Sequence, residues 1–198
     1  MLGLPYTTEL NKQLPKKSIY AKFGLKSAQQ EKFDADISRI AIAGEVSPST
    51  TTITAGTEVF GFYIVSVTLK RKSFEQSNIV MLSKLIDQKM LFVLQYEGEC
   101  MLAVYNTKLL CSEWMPAESA TISLSGLDLD AVWDNIVISI GGLTIEGNNS
   151  IKEQIEQDTT KAKLFKKIEQ LERKARAEKQ PRRKLELVEE IKKLKKEF

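Results

Sequence analysis

Arg173, Lys174, Arg176, Lys179, Arg182, Arg183 and Lys184 place seven cations within twelve residues, and Glu178 is the only acid among them. Cations at this density bind phosphate groups or an acidic protein surface, or stand solvated on a charged helix. No aromatic residue lies in the cluster. Bases of a single strand would find no ring to stack on, so sequence reading of single strands is not expected. Lys16 and Lys17 form a smaller basic element near the N-terminus. These nine residues are the candidate partner- or phosphate-binding set.

Other chemistries lack their residues. Histidine is absent from the 198 residues, which removes Ser-His-Asp and Cys-His nucleophile systems and His-based zinc hydrolysis. Cys100 and Cys111 cannot make a four-thiolate zinc site, and two cysteines without a framework read as reduced, partly buried thiols. No phosphate-binding glycine loop is present, and Gly141-Gly142 reads as a helix C-cap. A metal-dependent nuclease is the one enzyme class to weigh. It needs carboxylates around Mg²⁺ and a lysine near the attacked phosphate. The expected acid-x-Lys element reads Thr68-Leu69-Lys70, with threonine in place of the acid. Glu45 and Glu58 are the remaining carboxylates, and Glu58 lies at the other end of the strand from Lys70. Asp34 and Asp36, two apart on an expected helix, do not share a face and read as a solvated acidic surface. The expectation is therefore no catalytic residues, no metal and no cofactor.

Several elements must position the basic residues. Residues 1–150 carry a net charge of −3 and residues 151–198 a net charge of +6. In the basic stretch 1–26, Pro5 and Pro15 break any long helix, and residues 14–20 read as a short helix or ordered arm. Ser27 and Gln30 have capping-box spacing. Phe33, Ile37, Ile40 and Ala41 then make one apolar helical stripe, stopped by Gly44 and Ser47-Pro48. Residues 49–54 lead into a strand. The run 59–69 is apolar on both alternating faces in its first half, which marks a central strand. Ser73 and Gln76 open a helix carrying Ile79, Val80, Leu82, Leu85 and Ile86, and residues 91–96 are apolar again. Strand, helix and strand can form a parallel crossover. Glu97-Gly98-Glu99 turns a hairpin into residues 101–105. Residues 109–115 and 121–124 suggest two more short strands. Asp128 caps a helix carrying Val132, Trp133, Ile136, Val137 and Ile140.

Ser150 and Glu153 form a further capping box. Leu164, Ile168, Leu171 and Ala175 are spaced four, three and four, and Leu187, Ile191, Leu194 and Phe198 repeat the spacing. This is an a/d seam in two parts. Gln180-Pro181 lies between them, and proline suits the first turn of a new helix. The pattern predicts an α+β body, 1–148, with a mixed β-sheet and flanking helices. A C-terminal antiparallel helical, coiled-coil-like hairpin, 149–198, follows, and a single kinked helix joining a partner is the alternative. No secretory leader or apolar run of membrane-spanning length is read, so a cytoplasmic protein without a membrane partner is expected.

Leu10-Asn11-Lys12, Leu14-Pro15-Lys16-Lys17, Asp36-Ile37 ahead of Val46-Ser47-Pro48, and Val59-Phe60 occur in this order, followed by the run from Leu91 to Gly98. Glu113-Trp114, the run Leu129-Asp130-Ala131-Val132-Trp133-Asp134-Asn135 and Glu178-Lys179-Gln180 complete the set. In that order they resemble the bacterial family catalogued as domain of unknown function 4391. The resemblance spans nearly the whole chain and carries over no catalytic residue. It implies genes beside helicase and DNA methyltransferase genes in restriction-modification-like or anti-phage loci. The implied function is a non-catalytic accessory subunit that docks a helicase or DNA methyltransferase. The alternative is a nucleic-acid-binding or vestigial nuclease-like module contacting DNA through Lys16, Lys17 and the basic cluster. A homo-oligomer stays open.

Overall fold

The structure is a computed structural model and describes residues 2–147 and 149–195. By internal contacts the chain divides into two units, 1–144 and 145–198.

The first unit is built on a mixed sheet whose described strands number seven. Its elements are β1 (Glu9–Gln13), α1 (Lys16–Phe23), α2 (Ser27–Asp36), β2 (Ile37–Val46), β3 (Phe62–Leu69), α3 (Gln76–Leu82) and β4 (Lys89–Tyr96), followed by β5 (Glu99–Tyr105), β6 (Leu109–Cys111), β7 (Met115–Pro116) and α4 (Leu129–Gly141). The strand order is β1-β2-β3-β4-β5-β6, with β7 also pairing β5. β3 and β4 are parallel and joined through α3, as the strand–helix–strand pattern predicts; the other pairings are antiparallel.

Three expectations are overturned here. The stripe Phe33, Ile37, Ile40, Ala41 is not one helix: α2 ends at Asp36, and Ile37–Val46 is a strand paired on both sides. The β-branched residues Ile37, Ile40, Ile42 and Val46 favour a pleated surface, and two neighbouring strands supply the backbone partners a lone helix would otherwise provide internally. The α2 N-terminus is also one residue early: the Lys26 N–H donates to Gln29 Oε1 at 3.0 Å, and Ser27 is the first helical residue. Residues 121–124 form no strand.

On one sheet face Ile40, Val65, Val67, Phe92 and Leu94 pack with Ile19, Phe33, Ile79 and Leu82 from α1, α2 and α3 into the main core. On the other face α4 lies over the beginning of β3, with Trp133 and Phe62 ring centroids 5.2 Å apart. Asp128 caps α4 by accepting from Ala131 N–H at 2.9 Å, and Gly142 closes it in the left-handed region. Thr8 backbone packs so tightly over β2 that a Cβ on Gly44 would sit 2.9 Å from the Thr8 carbonyl oxygen. Glycine at 44 therefore lets the turn Tyr6–Thr8 lie against the sheet.

The second unit holds α5 (Ile151–Ala177) and α6 (Pro181–Leu194). Ser150 and Glu153 form the capping box that opens α5, and Pro181 stands in the first turn of α6. Ile168, Leu171, Ala175 and Ile191 are buried together, with Leu164, Leu187 and Leu194 packed around them. Phe198, the last seam position, lies outside the described residues. Lys167–Glu190 (3.4 Å) and Lys195–Glu172 (2.8 Å) link the two helices. Lys195 holds the Glu172 carboxyl below its ordinary range. No helix among the described residues is long and apolar enough to cross a membrane.

Candidate functional site

The seven clustered cations lie on the last turns of α5, the connection at 178–180, and the first turn of α6, and all are exposed. Three have acid neighbours one turn away: Arg173–Glu169 at 3.0 Å, Arg176–Glu172 at 3.9 Å and Arg182–Glu186 at 3.7 Å. Such exposed pairs are screened by solvent and add little to stability. Lys174, Lys179, Arg183 and Lys184 have no acid partner among the described residues. Beside them runs a shallow groove of about 530 Å³ lined by Lys174, Ala177, Glu178, Arg183, Glu186, Leu187 and Glu190. Both signs of charge and two apolar side chains share this surface.

The N-terminal pair separates. Lys16 is not a free cation: its Nζ donates to Asp34 Oδ1 at 2.5 Å and to the Ile37 carbonyl. Lys17 beside it is exposed. Asp34 also accepts from Tyr20 Oη at 2.7 Å. The Lys16 and Tyr20 hydrogen bonds hold the Asp34 carboxyl below its usual range, while burial and then the bond to Asp34 push the Tyr20 phenol up.

Asp34 and Asp36 are not a solvated acidic surface. Asp36 is fully buried. Its Oδ1 accepts from Arg71 Nε at 2.7 Å, and its Oδ2 from Glu75 N–H at 2.8 Å and Asn78 Nδ2 at 3.0 Å. It ties the α2–β2 corner to the segment between β3 and α3. Sequence reasoning missed this clamp, because its donors lie 35 to 42 residues away.

Asp130 makes a second clamp. Its carboxylate accepts from the backbone N–H groups of Thr57, Glu58 and Val59 and from the Thr57 hydroxyl, at 2.6 to 3.1 Å. The Thr57 hydroxyl, with those backbone donors, draws its pKa down to about 2. The loop passes so close that a Cβ on Gly56 would sit 2.2 Å from Asp130 Oδ1. Asn135 Nδ2 donates to the Ser125 carbonyl at 2.8 Å.

The nuclease elements are dispersed. Glu45 faces Tyr63 across β2 and β3, Glu58 precedes β3, and Lys70 follows β3 on the side of Asp34. No group of three His, Cys, Asp or Glu residues that could hold a metal occurs among the described residues. Cys100 and Cys111 are free, and burial raises both thiols.

The profile of the family Domain of unknown function (DUF4391) matches residues 2–198. The chain belongs to this family. No curated protein and no solved structure matches it. In this DUF4391 member, several motifs that carried the resemblance are fold clamps. Lys16 and Asp36 join the N-terminal helices to the sheet, Lys72 lies 5.2 Å over the Trp114 ring while paired with Glu99, and Asp130 and Asn135 fasten α4 to its loops.

Proposed function

We propose that this DUF4391 protein is a non-catalytic accessory subunit that docks a protein partner through its C-terminal helices. In this reading α5 and α6 form an antiparallel, coiled-coil-like hairpin. The divided apolar seam and the ion pairs Lys167–Glu190 and Lys195–Glu172 support that arrangement. The hairpin end presents the basic cluster to the partner. The partner is a helicase or DNA methyltransferase of a cytoplasmic restriction-modification-like or anti-phage complex, as the family resemblance implies.

The observation that carries the choice of protein over nucleic acid is the mixed lining of the groove beside the cluster. Glu178, Glu186 and Glu190 alternate there with Lys174 and Arg183, next to Leu187. A duplex backbone presents only negative charge and would meet three carboxylates. A protein surface can oppose each sign with its complement and cover the leucine.

The test is purification of the tagged full-length protein from its native host, with and without nuclease treatment. A helicase or DNA methyltransferase is expected to co-elute in both cases, and the isolated chain is expected to have negligible duplex affinity. Co-elution abolished by nuclease would point to a nucleic-acid-binding module instead. So would duplex binding by the isolated chain that weakens by about 0.9 log units per log unit of salt for each neutralised phosphate.

A further inference from the structure

A second site lies in the first unit and is independent of the docking proposal. β2, β3 and β4 carry large apolar side chains on the face covered by α1, α2 and α3. On the opposite face, toward the carboxyl ends of the parallel strands β3 and β4, the same strands switch to small and polar residues. Arg39, Thr68 and Gln95 stand in register across the three strands, and Ala41 and Ser66 form the row beside them. Neighbouring strands are about 4.8 Å apart, so a guanidinium, a hydroxyl and an amide converge within about 10 Å. Together with Tyr6, Glu9, Leu10, Asn11 and Ala43 they line a groove of about 580 Å³. This lies within the size range of small-ligand sites, and the carboxyl ends of parallel strands are where open α/β sheets bind ligands.

The polar groups here are left over by the fold. Ser66 Oγ donates to Gln95 Oε1 at 3.1 Å, which fixes the Gln95 amide and leaves its NH₂ without a hydrogen-bond partner among the described residues. The side chains of Arg39, Asn11 and Thr68 have no hydrogen-bond or ion-pair partner among the described residues. Tyr6 is 85% exposed beside them, on the turn that Gly44 allows against β2. Alanines at 41 and 43 leave the floor open to a flat group.

We propose that this groove binds a nucleotide, with Tyr6 stacking on the base, Asn11 and Gln95 facing its polar edge, and Arg39 taking the phosphate. An aromatic ring accepts any base face, side-chain amides match the donor and acceptor pattern of a base edge, and guanidinium binds phosphate in bidentate fashion. A single arginine with Glu9 nearby fits a monophosphate, not a triphosphate. The ligand is either a free nucleotide or the 5′-phosphorylated end of a strand.

The test is isothermal titration of the full chain with the four nucleoside monophosphates, the matching nucleosides, and a 5′-phosphorylated single-stranded trinucleotide. Saturable binding of a monophosphate identifies the free nucleotide; binding of the trinucleotide alone identifies a strand end. In either case Arg39→Gln should weaken binding about tenfold or more without affecting the weaker binding of nucleosides. Tyr6→Ala should weaken nucleotides and nucleosides alike. Both side chains are exposed and unpaired, so unfolding midpoints should match wild type; Thr68→Val removes a hydroxyl without changing shape and serves as a third variant. No saturable binding of any probe up to about 1 mM, or binding that Arg39→Gln and Tyr6→Ala leave unchanged, would overturn the assignment.

Discussion

At the scale of single residues, the chemistry of the first unit is concentrated in carboxylates that hold backbone. Asp36 is buried with a guanidinium, an amide and a backbone N–H on its two oxygens. Removing it leaves those donors without an acceptor, so Asp36→Ala should cost about 3 kcal/mol or more in denaturant unfolding; a loss under about 1 kcal/mol would contradict the clamp. Asp130 gives a pH signature. Its folded pKa of about 2 lies below the unfolded carboxylate value near 3.9, so the unfolded chain binds the proton first. The stabilisation is complete above about pH 4 and is lost as pH falls toward 2. Asp34, also depressed, acts in the same direction. Thermal unfolding between pH 5 and pH 2.5 should show a shallower acid decline in Asp130→Asn than in wild type. Equal slopes would show that the Asp130 contacts do not form in solution.

At the scale of elements, local signals were legible and non-local ones were not. The continuous apolar run into β3, the Asp128 cap, the Ser150–Glu153 box and the seam on both sides of Pro181 each lie within one stretch of chain, and an element formed at each, with β3 beginning at Phe62, three residues into the run that starts at Val59. The Phe33–Ala41 stripe misled because it runs across the junction of two elements: Phe33 closes the apolar face of α2, while Ile37, Ile40 and Ala41 belong to β2 between β1 and β3. The bulge between Ile37 and Arg39 further breaks the period of two, so that Ile37 and Ile40 are both buried. The basic cluster was readable because it is contiguous. The Asp36 clamp and the Arg39 groove were not: the clamp joins Asp36 to residues 71–78, and the groove assembles residues from the turn at Tyr6 and four strands. The seam makes its own prediction. Leu171→Asp places an unpaired charge among Ile168, Ala175 and Ile191, at a cost of several kcal/mol. Amide hydrogen exchange should speed up across α5 and α6 while β3 and β4 keep their protection. Unchanged protection in the helices would contradict the packing described for them.

At the scale of the whole molecule, an acidic body is followed by a basic two-helix unit, and the charge is gathered where the two helices meet. Four of its cations make no ion pair among the described residues, and like charges so close repel one another until a partner supplies the opposite sign. The most direct measurement is the affinity of the purified, nucleic-acid-free partner for the wild-type chain and for the variant Lys174→Ser, Lys179→Ser, Arg183→Ser, Lys184→Ser. These side chains are exposed, so the variant should fold with an unchanged unfolding midpoint. The account predicts affinity lower by about tenfold or more, mostly through slower association that added salt mimics in the wild type. Equal affinity of the two proteins for the partner would contradict docking through the basic cluster and leave it a solvated surface.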